Sequence, residues 1–272
     1  MTMETLISEN GDLVIDRIHR LFDAEDQELK LSLITELTAL VNTHTKYEIE
    51  HLCDLHKIVE TKDVNELRLA LFNSINSDNY SWQDILESIA GHRIRQAIGP
   101  DYLIQSKINV SIQMPNDTSS LLPQHSDCVS GDSPWQMNLW IPFTDTYSTN
   151  SMFLITAQSS IEYIEQLKSL TGSIDHDTEE YEKNIEDEVN KLPKYFVKAN
   201  HNQVLLFNPG ALHGNVENTT EHTRVSLNVR IKSIYSPDAD HNHPDRKFGT
   251  YYKVGHLSAN SIFSKKVYDA IN

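Results

Sequence analysis

The chain has 272 residues, 39% of them hydrophobic, and a formal charge of −16, which suits one large domain with a sizeable core. So acidic a surface argues against nucleic acid and anionic membranes as partners, and its ordinary role is solubility. No apolar run reaches the roughly 18 residues of a membrane span, and Cys53 and Cys128 lie far apart without metal spacing, so both are read as reduced thiols in a reducing compartment.

The N-terminal stretch "MTMETLISENGDLVIDRIHRLF" is acidic and amphipathic. It lacks a basic segment ahead of an apolar one, so it is not read as a signal peptide, and a cytoplasmic protein is expected. Residues 12–98 read as helices. Ile15, Ile18, Leu21 and Phe22 fall on one helical face, as do Leu33, Leu37, Leu40 and Val41, then Leu52, Leu55 and Val59, then Leu67, Leu71 and Ile75. "SWQDILESIAGHRIRQAIG" opens on a cap, Ser81, and stops at Gly99-Pro100.

The period then changes from helical to two. In "YLIQSKINVSIQMP", Ile104, Ile108, Val110 and Ile112 share one side, and Gln105, Lys107, Asn109, Ser111 and Gln113 the other. The polar side is either solvated or the lining of a wet cavity. Strand-like runs follow in "WQMNLWIPFT", "SMFLITA", "KYFVKAN", "NQVLLFN" and "RVSLNVRIKSIY". Among them "SIDHDTEEYEKNIEDEVNKLP" spaces Tyr181, Ile185 and Val189 as a solvated, acidic helix. Helices first and strands afterwards imply an α+β protein whose sheet closes as a barrel or jelly roll. One domain, 1–272, is expected. Residues 1–100 would be mainly helical support, 101–235 a jelly-roll core with an acidic helical insert near 160–192, and 236–272 a C-terminal flap.

The chemistry-bearing set is His125-x-Asp127, then His213 after a Pro209-Gly210 turn, then Arg224-x-Ser226 eleven residues beyond His213. Two imidazoles and a carboxylate on one face of iron(II) leave the remaining positions open. Residues two apart on an extended segment point the same way, so His125 and Asp127 can act together, and Arg224 with Ser226 likewise. A planar guanidinium suits the far carboxylate of 2-oxoglutarate. H-x-D alone is a weak signal; the joint order with a distant His and R-x-S is far more specific. Gln105, Lys107, Ser111 and Gln113, with Asn228 and Arg230 from the last strand, are candidates to line a polar substrate pocket. The acidic, histidine-rich loop with Asp238, Asp240, His241, His243 and Asp245 reads as a solvated turn or part of the flap, and His201 and His222 as structural.

On these residues the chain resembles the Fe(II)/2-oxoglutarate-dependent oxygenases. Within them it resembles the phytanoyl-CoA dioxygenase-like branch, and more narrowly the oxygenases of sporadic carbohydrate-biosynthesis clusters. "QSKINVSIQMPNDTSSLLPQHSDCVSGDSPWQMNLWIPF" and "LLFNPGALHGNVENTTEHTRVSLNVRIKSIYSP" carry the likeness; "QSKIN" is also similar to a strand of ectoine hydroxylases. The resemblance implies a double-stranded β-helix (cupin-like) core with an N-terminal helical buttress. It implies iron held by His125, Asp127 and His213, and 2-oxoglutarate on Arg224 with Ser226, near Asn109 and Trp140; Asn138, on the same face as Trp140 by alternation, is added to these. Dioxygen would be the further cosubstrate, and a C–H bond of a small polar metabolite (a sugar, sugar nucleotide or amino acid) would be hydroxylated. The stretch after Ala157, "QSSIEYIEQL", departs from the branch's proline-glycine-serine-histidine loop. Asp127 stands where halogenating relatives have Gly or Ala, which points to hydroxylation. A zinc hydrolase on the same triad and a cupin-like binding module remain the alternatives.

Overall fold

The computed structural model describes residues 5–7, 13–16, 18–171, 190–237 and 246–271. Three helices, α1 (Gln27–His44), α2 (Val64–Ile75) and α3 (Trp82–Ile98), precede most of the strands. Each buries an apolar stripe at helical spacing: Leu33, Leu37 and Val41; Leu67, Leu71 and Ile75; Leu86, Ile89 and Ile94. The Asp26 carboxylate caps α1 by accepting from the Leu29 N–H at 2.9 Å. Ser81 precedes α3 as expected, but its hydroxyl donates to the Asp84 carboxylate and accepts no backbone N–H of the first turn. Gly99, at φ 101°, ends α3 in the left-handed region.

The described strands form two antiparallel sheets. The larger has nine: β1 (Thr5–Ile7), β2 (Leu13–Ile15), β3 (His19–Asp23), β4 (Tyr102–Gln105), β5 (Asn109–Gln113), β6 (Gln136–Pro142), β9 (Gln203–Phe207), β11 (Arg224–Ser233) and β12 (Tyr252–His256). Its order is β1-β2-β3-β9-β6-β11-β4-β12, with β5 also paired to β11. The smaller sheet runs β10-β7-β8, from His213–Gly214, Phe153–Leu154 and Tyr195–Phe196.

Strand alternation divides the large sheet into an apolar and a mixed face. Val225, Leu227, Val229 and Ile231 of β11 join Leu139, Ile141, Val204, Leu206, Val110, Ile112 and Ile104 in one cluster with the stripes of α1–α3. Each fully buried aliphatic side chain there contributes about 1.5–3 kcal/mol. On the opposite face Leu21, Trp140, Leu205 and Phe207 pack against Met152, Leu154, Val197 and Ala199, next to the small sheet. The remainder of that face carries Arg224, Ser226, Asn228 and Arg230.

Four expectations are corrected. Residues 13–15 and 19–23 are strands, not helix; Leu21 and Phe22 are buried on opposite sides because β3 pairs with β9 inside the sheet. The single strand expected over 102–113 is two, broken at Ser106–Ile108, and β4 and β5 follow successive stretches of β11. The loop expected directly after Ala157 is instead the start of helix α4 (Ala157–Thr171), whose residues from 160 on fall in the helical insert expected near 160–192. The segment expected as a flap contributes β12 to the sheet edge beside β4 and a last helix, α5 (Ala259–Ile271). Tyr181, Ile185, Val189 and the 238–245 cluster lie outside the described residues. Among the described residues no helix is long and apolar enough to cross a membrane.

Candidate metal centre

His125 and His213, 88 positions apart in the sequence, are neighbours because their backbones form an isolated antiparallel bridge. Each N–H donates to the other's carbonyl at 2.9 Å. The imidazole rings then sit 4.4 Å apart at 47°. Asp127 follows on a turn tied down by three contacts: the Ser126 hydroxyl and the Cys128 N–H both reach the Pro209 carbonyl, and the Asp132 N–H reaches the Asp127 carbonyl. Asp127 Oδ1 lies 3.4 Å from His125 Nε2 and 4.0 Å from His213 Nε2. One ligand atom from each residue fits within 4.8 Å of the others.

The donor set fits a divalent metal. His125 Nδ1 contacts the Pro123 carbonyl at 2.8 Å, and His213 Nδ1 the Ala211 carbonyl at 2.9 Å. A carbonyl only accepts, so in each neutral ring Nδ1 carries the proton and Nε2 keeps its lone pair facing Asp127. Burial pulls the His213 pKa down to about 4, with Asp127 opposing. Burial pulls His125 the same way, but the Asp127 and Pro123 contacts outweigh it and raise its pKa. Burial would raise Asp127, yet His125, His213, Arg230 and Asn138 together hold it well below the usual carboxylate range. Phe207 packs edge-on to the His213 ring at 5.0 Å.

Asn138, expected near the cosubstrate, donates to Asp127 Oδ2 at 2.6 Å, leaving Oδ1 to face the histidines. Arg224 is buried. Its Nη2 donates to Ser111 Oγ at 3.0 Å, and its Nε has no partner. Among the described residues no carboxylate pairs with it, and burial lowers its pKa only to about 10, so it is a cation at neutral pH. Ser226 Oγ is likewise buried without a partner. Asn109 stands directly across from Asn228, which stands across from Trp140 on its other side.

The other pocket candidates divide. Gln105 is buried and accepts the Arg230 backbone N–H at 3.1 Å. Ser111 is the hydroxyl beside Arg224. Gln113 is fully buried and tied to the Val216 carbonyl at the strand end. Lys107 is exposed in the β4–β5 break and reaches the Asn76 carbonyl at 3.4 Å, so it does not line this face. The sequence reading missed Asp132. This buried carboxylate takes Arg230 Nε at 2.5 Å, Gln136 Nε2 at 2.9 Å and the Arg246 guanidinium. An acid in a Ser/Gly/Asp-rich turn carries no signal of such partners.

No family model and no curated protein matches the chain. Solved structures do. They include a non-heme monooxygenase, ThoJ, in a nickel complex (14% identity, 89% of this chain and 82% of that one, TM-score 0.46). SnoK, a non-heme alpha-ketoglutarate-dependent carbocyclase from nogalamycin biosynthesis, matches at 12% identity over 86% and 87%, TM-score 0.49. HygX from Streptomyces hygroscopicus, with nickel, 2-oxoglutarate and hygromycin B bound, matches at 13% over 87% and 93%, TM-score 0.45.

Proposed function

We propose that the chain is an iron(II)- and 2-oxoglutarate-dependent oxygenase with a double-stranded β-helix core that hydroxylates a small polar metabolite. The observation that carries this is the pairing of three converging lone-pair donors with a buried guanidinium, Arg224, that no carboxylate pairs with among the described residues. His125, Asp127 and His213 would hold the iron. Arg224, oriented by Ser111 and flanked by Ser226, would take the distal carboxylate of 2-oxoglutarate. Bound there, iron and 2-oxoglutarate supply oxidation of an unactivated C–H bond by dioxygen, with release of succinate and CO2.

The chain's own residues do the positioning. Pro123 and Ala211 set the histidine tautomers, Asn138 turns Asp127 so that one oxygen faces the site, and Phe207 keeps water from the back of His213. Asn109 and Asn228 offer neutral hydrogen-bonding groups on the same face, which favours a hydroxyl- or amide-bearing substrate over an acyl chain. Arg230 is held by Asp132, and its Nη2 lies 3.5 Å from Asp127, so it faces two carboxylates before any substrate. A zinc hydrolase would need a carboxylate ready to act as base, and Asp132, the other buried acid nearby, is bound to two arginines. The test is anaerobic absorption with Fe(II), before and after 2-oxoglutarate. A weak visible charge-transfer band is expected in the wild type and a much weaker one in Arg224→Ala. No band in iron-loaded wild type would overturn the reading.

A further inference from the structure

We infer that Asp132 is a positioning residue for the metal centre, the counter-ion that keeps Arg230 from capturing the ligand carboxylate of Asp127. The inference rests on the metal reading above. Arg230 reaches two acids at once. Its Nε lies 2.5 Å from Asp132 Oδ2, while its Nη2 lies 3.5 Å from Asp127 Oδ1, the oxygen that faces both histidines. A guanidinium and a divalent cation compete for that oxygen, and the side chain of Arg230 has the reach to close the gap.

Asp132 is built to prevent this. It is 3% exposed, so its charge is poorly screened. It is anchored to the same turn as Asp127, through its own N–H to the Asp127 carbonyl at 2.9 Å. Gln136 donates to it at 2.9 Å and is itself held by the Tyr252 hydroxyl, also at 2.9 Å. Arg246, from the segment before β12, pairs with it as well. Remove the negative charge and both guanidiniums lose that counter-ion, with Arg230 the one in reach of Asp127 Oδ1. A divalent metal would then enter against one more positive charge, with its only anionic ligand occupied.

The test is titration of the full-length protein with Co(II) alone, followed by its visible absorption, with thermal melts to check folding. Asp132→Asn is expected to weaken Co(II) binding at least tenfold. Asp132→Asn/Arg230→Gln is expected to return to within threefold of wild type. Asp132→Asn/Arg246→Gln has the same net charge as that rescue and leaves Arg230 released, so it is expected to stay weak. This second pair decides the matter even if Asp132→Asn alone fails to fold. Equal affinity in the two double variants, or Asp132→Asn binding like wild type, would overturn the inference and leave the metal reading intact. Wild-type protein that does not bind Co(II) would overturn both.

Discussion

The candidate metal centre is shaped by atoms outside its three donor groups. Asp127 presents one oxygen to the histidines because Asn138 holds the other at 2.6 Å. Asn138→Ala removes that donor, and outer partners of this kind are worth about 10–100-fold in metal affinity; calorimetric titration with a divalent metal reads the loss. Gly214, next to His213, is under a different constraint. A Cβ there would come 2.8 Å from the Leu122 carbonyl and 3.1 Å from both the Pro123 carbonyl and the Phe153 ring. The Pro123 carbonyl sets the His125 tautomer, so Gly214→Ala should disturb a ligand as well as packing. The expected cost is about 1–3 kcal/mol in denaturant unfolding, with weaker metal binding alongside.

Among the elements, α1 holds the least ordinary buried group. Lys30 sits within its apolar stripe with Nζ donating to the Pro142 carbonyl at 2.5 Å and the His201 carbonyl at 2.7 Å, above the Phe143 ring. It ties the helix to the end of β6 and to the turn before β9. Burial lowers its pKa to about 7, whereas an unfolded lysine titrates near ~10.4. Below both values each state is protonated and this group gives stability no dependence on pH. Between them the unfolded chain binds the extra proton, so stability rises with pH by at most about 1.4 kcal/mol per unit. Chemical denaturation at pH 7, 8 and 9 should show that Lys30→Met loses this rise relative to wild type. A slope unchanged by the substitution would assign it to other groups.

For the whole molecule, the bridge between His125 and His213 joins the loop after β5 to the small sheet. A metal bound there would cross-link segments that meet only in the folded state. Binding the native state alone stabilises it by about 2.7 kcal/mol at a free metal concentration one hundred times the dissociation constant. Scanning calorimetry should therefore show a melting temperature several degrees higher with Co(II) or Fe(II), and no such rise in His213→Ala. An equal rise in that variant would place the metal elsewhere.

Much of this was readable from the chain alone. The stripes of α1–α3 and the two-residue alternation of β11 are local patterns, each contained in a short window and imposed by backbone geometry. The motifs His125-x-Asp127 and Arg224-x-Ser226 were readable as local spacings too, but only Arg224 and Ser226 share one side of a strand; Asp127 lies on a turn. The tertiary structure decided what those side chains meet. It placed His213 against His125, Ser111 under Arg224 and Asp132 between two arginines, and it sent Lys107 outward. It also drew residues 13–15 and 19–23 into the sheet, where Leu21 and Phe22 serve opposite faces instead of one helical stripe. Periodicity is written within a few residues, whereas the partner of a buried charge or an edge strand comes from far along the chain, and only the folded backbone brings the two together.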